Sequence, residues 1–470
     1  MQSFFFRNHC LIYVILLVAG IIISCSKNPP VGRDNSSSIS TRSFSEPMAK
    51  GTLKFSVSEE EAASFIALHY PDKDFELSPI FHKKDTLLYL CNFVAGGWTL
   101  LAGDKRSRPI MGDSDTGHLS LKDAPNGIHV WIDSCCDEIR YWKHFSDIQS
   151  NSNTELWSAL FPEHHNIKEE SRGSEEYKWG VFKFVYPIST THSTVIPHLV
   201  DVNWGQSSPW NTKLPIDMSN MLRCPTGCTA VAMAQLLYYT HYYLGKPAGL
   251  YHSIQISQSY INGWTTNIGF SRTDYEPYSN RWDSMPIDYM PPGIPSYAED
   301  LMLDIGNRVG MYYSGTESGA WPSLNVLSTY YSLSGYEDNY EESLVRYSLE
   351  DEMPVIIVAF GPQNSDGGHT WLIDGIYRSV TEYEMMITFE YSENWMYADE
   401  IYDTFDELRI HYHTNDGTEA LFVPYGSLAT DYWLMNWGYD GLYDNGHYSI
   451  SGTAYWEGLG RNKRIYYGFH

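Results

Sequence analysis

The chain has 470 residues, 43% of them hydrophobic and 15% aromatic, with 57 acidic against 31 basic side chains and a formal charge of −26. That length predicts more than one folding unit, with enough apolar content to fill their cores. The acidic balance suits a soluble, secreted-type surface and excludes a nucleic-acid binder, which needs clustered Lys and Arg to hold phosphates.

The first 25 residues read as a targeting segment. Arg7 is its charged start, and Leu11 to Ile23 is its apolar stretch. About 13 apolar residues are too few for a comfortable membrane span. The stretch ends in Ile22-Ile23-Ser24-Cys25, which resembles a bacterial lipobox. The resemblance implies cleavage before Cys25 and lipidation of its thiol. An ordinary signal peptide cut near the same place is the alternative. Residues 26–45, rich in Ser, Asn, Pro and Arg, read as a flexible tether.

Residues 46–150 form a first, smaller α+β unit. Ser58 to Leu68 has acidic residues in its first turn and apolar residues at helical spacing. Thr86 to Phe93 and Trp98 to Ala102 are strand-like runs joined by Val-Ala-Gly-Gly, a hairpin signal. Ile128 to Trp142 reads as a second helix. The polar stretch that follows lacks a steady period, and 151–194 reads as an exposed linker carrying a processing site. The second unit spans 195–470. It has a helix from Cys228, helices over Tyr297–Val309 and Ser323–Tyr331, and short aromatic strands to the end, an order that predicts an α+β domain.

Seven cysteines occur, at 10, 25, 91, 135, 136, 224 and 228. Removal of the targeting segment and lipidation of Cys25 would leave an odd number, so at least one stays a thiol unless chains are cross-linked. Neither Cys-x-x-Cys nor His-Glu-x-x-His is present, so no metal or other cofactor is expected. Cys228 follows Pro225-Thr-Gly227 and opens an Ala-rich apolar run. That places its thiol at the first turn of a buried helix, where unpaired N–H groups and the helix dipole favour thiolate. A thiolate so placed is how cysteine hydrolases make their nucleophile.

A cysteine nucleophile needs a base, a group that orients the base, and an oxyanion hole. His241 is excluded as the base: 13 residues along a helix is about 20 Å and about 220° around the axis. His369, in Gly-Gly-His-Thr-Trp, is the candidate, with an ordinary surface turn as its alternative. Asn436, heading Asn-Trp-Gly-Tyr-Asp-Gly, can accept from the imidazole N–H, and Trp437 can cover that bond from water. Gln206 can donate an amide N–H beside the backbone N–H of Cys228.

Together these blocks resemble the streptopain-like cysteine peptidases, of papain-like fold. The matching segments are Trp-Gly-Gln-x-x-Pro-Trp-Asn at 204–211, Thr-Gly-Cys-Thr-Ala-Val-Ala-Met-Ala-Gln at 226–235, Gly-Gly-His-Thr-Trp-Leu-Ile-Asp-Gly at 367–375 and Asn-Trp-Gly-Tyr-Asp-Gly at 436–441. The segments 88–104 and 108–117 resemble the family's prodomain. The resemblance implies a zymogen: an inhibitory prodomain over 46–150, then a papain-like peptidase over 195–470. It implies Cys228 as nucleophile, His369 as its partner, Asn436 as orienter and Gln206 in the oxyanion hole. Ser318 and Gly319 resemble the substrate-subsite loop, and Gly368 and Trp437 are expected beside them as substrate contacts. Its partners would be protein or peptide substrates, its own prodomain and, through Cys25, a membrane of the bacterial cell envelope or surface.

Two departures stand out. Tyr439 replaces the second Trp usual after Asn-Trp-Gly, and His369 and Asn436 lie unusually far apart, which implies an insertion over about 378–430. Asn394, within it, is a rival orienter. His411 and His413 there would share one strand face, as a metal pair does, or simply lie on a solvated strand. Two other functions stay open: a binding or inhibitory lipoprotein that kept the fold without the chemistry, and thiol redox work by Cys224 with Cys228 or by Cys135 with Cys136.

Overall fold

A computed structural model describes residues 55–82, 84–144, 177–214, 216–217, 219–245, 297–360, 368–392, 398–415, 420–450 and 463–470, with Asn153, Thr154, Trp157, Met285 and short strand segments between 255 and 271. Cys25, the tether and Asn394 lie outside the described residues.

The helices and the two strands expected between residues 58 and 142 are present, and two further strands join them. Helix α1 (Glu59–His69) opens on a reciprocal capping box: the Ser58 hydroxyl accepts from the Glu61 N–H at 3.1 Å, and the Glu61 carboxylate accepts from the Ser58 N–H at 2.8 Å. Strands β1 (Phe75–His82), β2 (Asp85–Phe93), β3 (Trp98–Ala102) and β4 (Ile110–Ser114) form an antiparallel meander. Helix α2 (Asn126–His144) follows.

The second unit supplies helix α3 (Cys228–Leu244), α4 (Tyr297–Arg308), α5 (Leu324–Tyr331) and α6 (Glu342–Glu350). Its strands are β6 (Tyr336–Asn339), β7 (Val355–Phe360), β8 (Gly368–Ser392), β10 (Ala420–Asn436), β11 (His447–Tyr448) and β12 (Arg464–Tyr467), with β9 (Glu400–Tyr402) and helix α7 (Phe405–Tyr412) between β8 and β10. The α+β character expected for both units is present.

The two units share one sheet. Its order is β1-β2-β3-β4-β11-β10-β8-β7-β12-β6, so the meander continues through β4 and β11 into the second unit. Gly112 faces Tyr448 and Asp113 faces His447 at the junction, and the His447 ring meets the Asp113 carboxylate at 2.8 Å. One hydrophobic core spans both sides, with Leu88, Trp98, Leu100 and Trp131 packed with Ile357, Trp371, Trp437 and Tyr448. A second core surrounds α3, whose run from Thr229 to Tyr238 is buried throughout.

Two expectations are corrected here. The strands of the second unit are not uniformly short, since β8 has 25 residues and β10 has 17. Both belong to the common sheet, and their far ends fall within the predicted insertion. The linker reading also fails over its last part: residues 178–196 form a strand, β5 (Lys178–Ile196). It pairs with β8 from Ile376 to Ser392, and β9 pairs with β5 in turn. On β8 the period is two: Thr381, Tyr383 and Ile387 are buried while Glu382 and Glu390 are exposed. Tyr383 and Val185 pack against Phe65 and Ile66 of α1 and against Trp157, and Ile387 and Val181 pack against Leu408 of α7. His411 sits on α7 and His413 caps it in the left-handed region, so they share no strand face, and no group of metal-ligating side chains occurs among the described residues.

Candidate active site

Cys228 is the first residue of α3. Gly227 ahead of it has φ 88°, and a Cβ there would lie 2.7 Å from the Met311 sulfur, so the turn requires glycine. No side chain caps this helix start, so its first N–H groups are not spent on a side-chain cap. The loop before it is tied down by Thr226, whose N–H and hydroxyl both donate to the Gln206 carbonyl, at 2.8 and 3.0 Å.

His369 is the second residue of β8 and is buried. Its Nε2 lies 3.0 Å from the Trp437 carbonyl oxygen. A carbonyl only accepts, so Nε2 carries a proton, and Nδ1 is the ring nitrogen left for the thiol. Tyr439 stacks on the ring with centroids 4.9 Å apart and planes 6° apart. Its hydroxyl is hydrogen-bonded to Nδ1 at 3.2 Å, so that nitrogen meets the hydroxyl as well as the thiol. Trp371 stacks on His369 at 5.7 Å.

The electrostatics separate the two neighbouring thiols. Burial opposes ionisation of Cys228, but the charge and hydrogen bond of His369, with the Thr370 backbone and hydroxyl, outweigh it and bring the thiol down to about 7. Cys224 has no such partner for its thiolate. Burial and the Asp217 charge push it up to about 11. None of the five described cysteines, Cys135 and Cys136 included, is in a disulfide, so neither suggested redox pair is bridged.

A cavity of about 790 Å³ brings together Gln206, Cys228, His369, Ser318, Gly319 and Gly368. Two expected site residues do not face it. Trp437 is fully buried, stacked on Trp371 at 4.9 Å, so it is not a substrate contact, and it serves through its carbonyl. Asn436 does not hold the imidazole. Its Oδ1 accepts from Gln235 Nε2 at 2.9 Å and from the Gly438 N–H at 3.2 Å, and its Nδ2 donates to the Val202 carbonyl at 2.9 Å. The side chain is spent on tying β10 to α3 and to the 202 segment, and the next residue's carbonyl takes the orienting position.

The sequence points to an inhibitory first unit but does not name the residues it brings to the cleft. Asp123, Pro125 and Asn126 line the same cavity. Asn126 Nδ2 donates to the Gly368 carbonyl at 3.2 Å, and the Gly127 N–H donates to the Tyr439 hydroxyl at 3.1 Å. Gly127 lies so close to the imidazole that a Cβ would be 2.4 Å from His369 Cδ2. The Pro-Asn-Gly run at 125–127 signals a turn in the sequence, but nothing in it names the ring it touches.

The Peptidase C10 family model matches residues 204–448. Streptopain of Streptococcus pyogenes is 24% identical over 320 residues, which cover 61% of this chain and 68% of streptopain. A fragment of prointerpain A from Prevotella intermedia superposes with a TM-score of 0.48 at 18% identity, covering 84% of this chain and 99% of that one. Active interpain A gives a TM-score of 0.35 at 23% identity, covering 58% and 95%. The family match spans more than half of the chain and contains all four ordered motifs. The chain belongs to the Peptidase C10 family and is a cysteine peptidase of papain-like fold.

Proposed function

We propose that the chain is the secreted, lipid-anchored zymogen of a cysteine endopeptidase. The observation that carries this reading is the meeting of three groups in one cleft: Cys228, whose thiol is brought down to about 7, His369, and Gly127 of the first unit against the imidazole edge. The Cys228 thiolate attacks the peptide carbonyl, and the thioester forms as the amine leaves. The N–H of Cys228 and the Gln206 side chain receive the oxyanion. His369 gives the proton on Nδ1 to the leaving amine while its Nε2–H stays on the Trp437 carbonyl. Residues 46–150 act as an inhibitory prodomain, since Asn126 and Gly127 occupy space beside the dyad that a substrate would need. Cutting before the peptidase releases them. Ile-Ile-Ser-Cys at 22–25 supports the anchor at the bacterial cell envelope.

The test is the full chain from Cys25 onward with Cys228→Ala or Cys224→Ala. Cys228→Ala should neither hydrolyse peptides nor process itself, and Cys224→Ala should do both. Labelling by a peptidyl fluoromethyl ketone should follow the same split. Hydrolysis that survives Cys228→Ala defeats the reading.

A further inference from the structure

We infer that the Tyr439 hydroxyl is a substrate-binding group that takes a main-chain N–H on the leaving-group side of the scissile bond. This deepens the proposed function and rests on it. The observation is what the hydroxyl already holds: it accepts the Gly127 backbone N–H at 3.1 Å, inside the cleft and beside the imidazole. His369 delivers its proton to the leaving amine, so the chain departing from Cys228 lies on the imidazole side, the side that Gly127 occupies. A glycine with no Cβ, packed on the ring edge, presents bare backbone there. In the uncut chain, then, Tyr439 is bonded to a stand-in for a substrate backbone.

The residue's chemistry fits this role. Burial, and after it the charge of nearby Cys228, push the phenol pKa up, so it stays a neutral hydroxyl that can both donate and accept. Its ring is held parallel to the imidazole, which fixes where the oxygen sits without any contribution from substrate. A tryptophan at this position would keep the stacking surface but would offer an N–H donor and no acceptor. The tyrosine therefore adds a backbone-recognising acceptor.

The experiment uses the full chain after activation, with Tyr439→Phe and Tyr439→Trp beside the unaltered protein. Active sites are counted by fluoromethyl ketone titration. Two substrates share one acyl half: an internally quenched peptide that runs three residues past the scissile bond, and a peptidyl ester with an alcohol leaving group, which has no N–H there. The readout is the ratio of kcat/KM, peptide over ester. One neutral hydrogen bond predicts that this ratio falls between about two- and thirteen-fold in both variants, carried mostly by KM. An unchanged ratio overturns the inference. If both rates fall in parallel, the hydroxyl serves the imidazole and the inference is also overturned. Failure of the proposed function would look different: the unaltered protein would turn over neither substrate in a Cys228-dependent way.

Discussion

Gly127→Ala is the most direct probe of latency, because it adds one methyl group at the contact between prodomain and base. The new Cβ would lie 2.4 Å from His369 Cδ2, 2.8 Å from Nε2 and 3.1 Å from Trp437 Cε3. Carbon atoms pack comfortably at about 3.5 Å or more, so the shortfall is about 1 Å. The imidazole cannot yield easily, with Nε2 on the Trp437 carbonyl and Tyr439 stacked on its face. The start of α2 must lift instead. Overpacking of this kind costs about 1–3 kcal/mol, and the better helix propensity of Ala returns at most about 1 kcal/mol. A contact about 1 Å too short against a held ring lies in the upper part of that range, about 2–3 kcal/mol, so even with the full return the net loss is about 1–2 kcal/mol, which weakens the hold of the prodomain about five- to thirty-fold. The assay is the initial rate of fluoromethyl ketone labelling at Cys228 in uncut chain, with gels to confirm that it is uncut. The variant should label faster by that factor, and once the prodomain is removed the two proteins should be indistinguishable. Equal labelling rates in the uncut chains would refute the reasoning, since they would mean that the Gly127 contact does not limit access to the dyad.

Three further outcomes are expected. Asn436→Ala should act as a structural lesion: Gln235 Nε2 and the Val202 carbonyl keep each other at 3.2 Å, but the Gly438 N–H loses its acceptor, at about 1–3 kcal/mol for a buried group left unsatisfied, and the loss of activity should track a lowered melting temperature. Iodoacetamide alkylation of Cys228 in the processed enzyme should be half-maximal near the thiol's value of about 7, the thiolate being present above it and lost as pH falls through it. His369→Ala should move that midpoint upward, and a midpoint already at an ordinary thiol value would remove the case for an ion pair.

Much of this site is readable from residue types. A Pro-Thr-Gly turn running into an Ala-rich apolar stretch allows little except a helix that starts at Cys228, and two glycines before His369 mark a close backbone approach at a strand start. The orienter is not readable, because Asn-Trp-Gly marks where the chain turns without saying which group of the turn faces the ring. One residue decides it, and the carbonyl of Trp437 wins over the amide of Asn436. Strand β5 is hidden for another reason: its second half, Ser189-Thr-Thr-His-Ser-Thr194, is polar on both faces, and its pairing partner lies about 190 residues away. Helix α7 carries a local signal, since Thr404 and Glu407 form a capping box, but the aromatic residues around it suit a strand as well.

Strand β5 also changes where the peptidase can be said to begin. A recombinant chain started at residue 195, where the sequence changes character, would keep β8 and discard its neighbour. The ladder from Ile376 to Ser392 would then lie open along one side, with Val181 and Val185 gone from over Ile387 and Tyr383. A long bare ladder with aromatic side chains invites pairing with other chains. Such a preparation would be prone to aggregate for a reason unrelated to catalysis, and the remedy is to begin the chain ahead of Lys178.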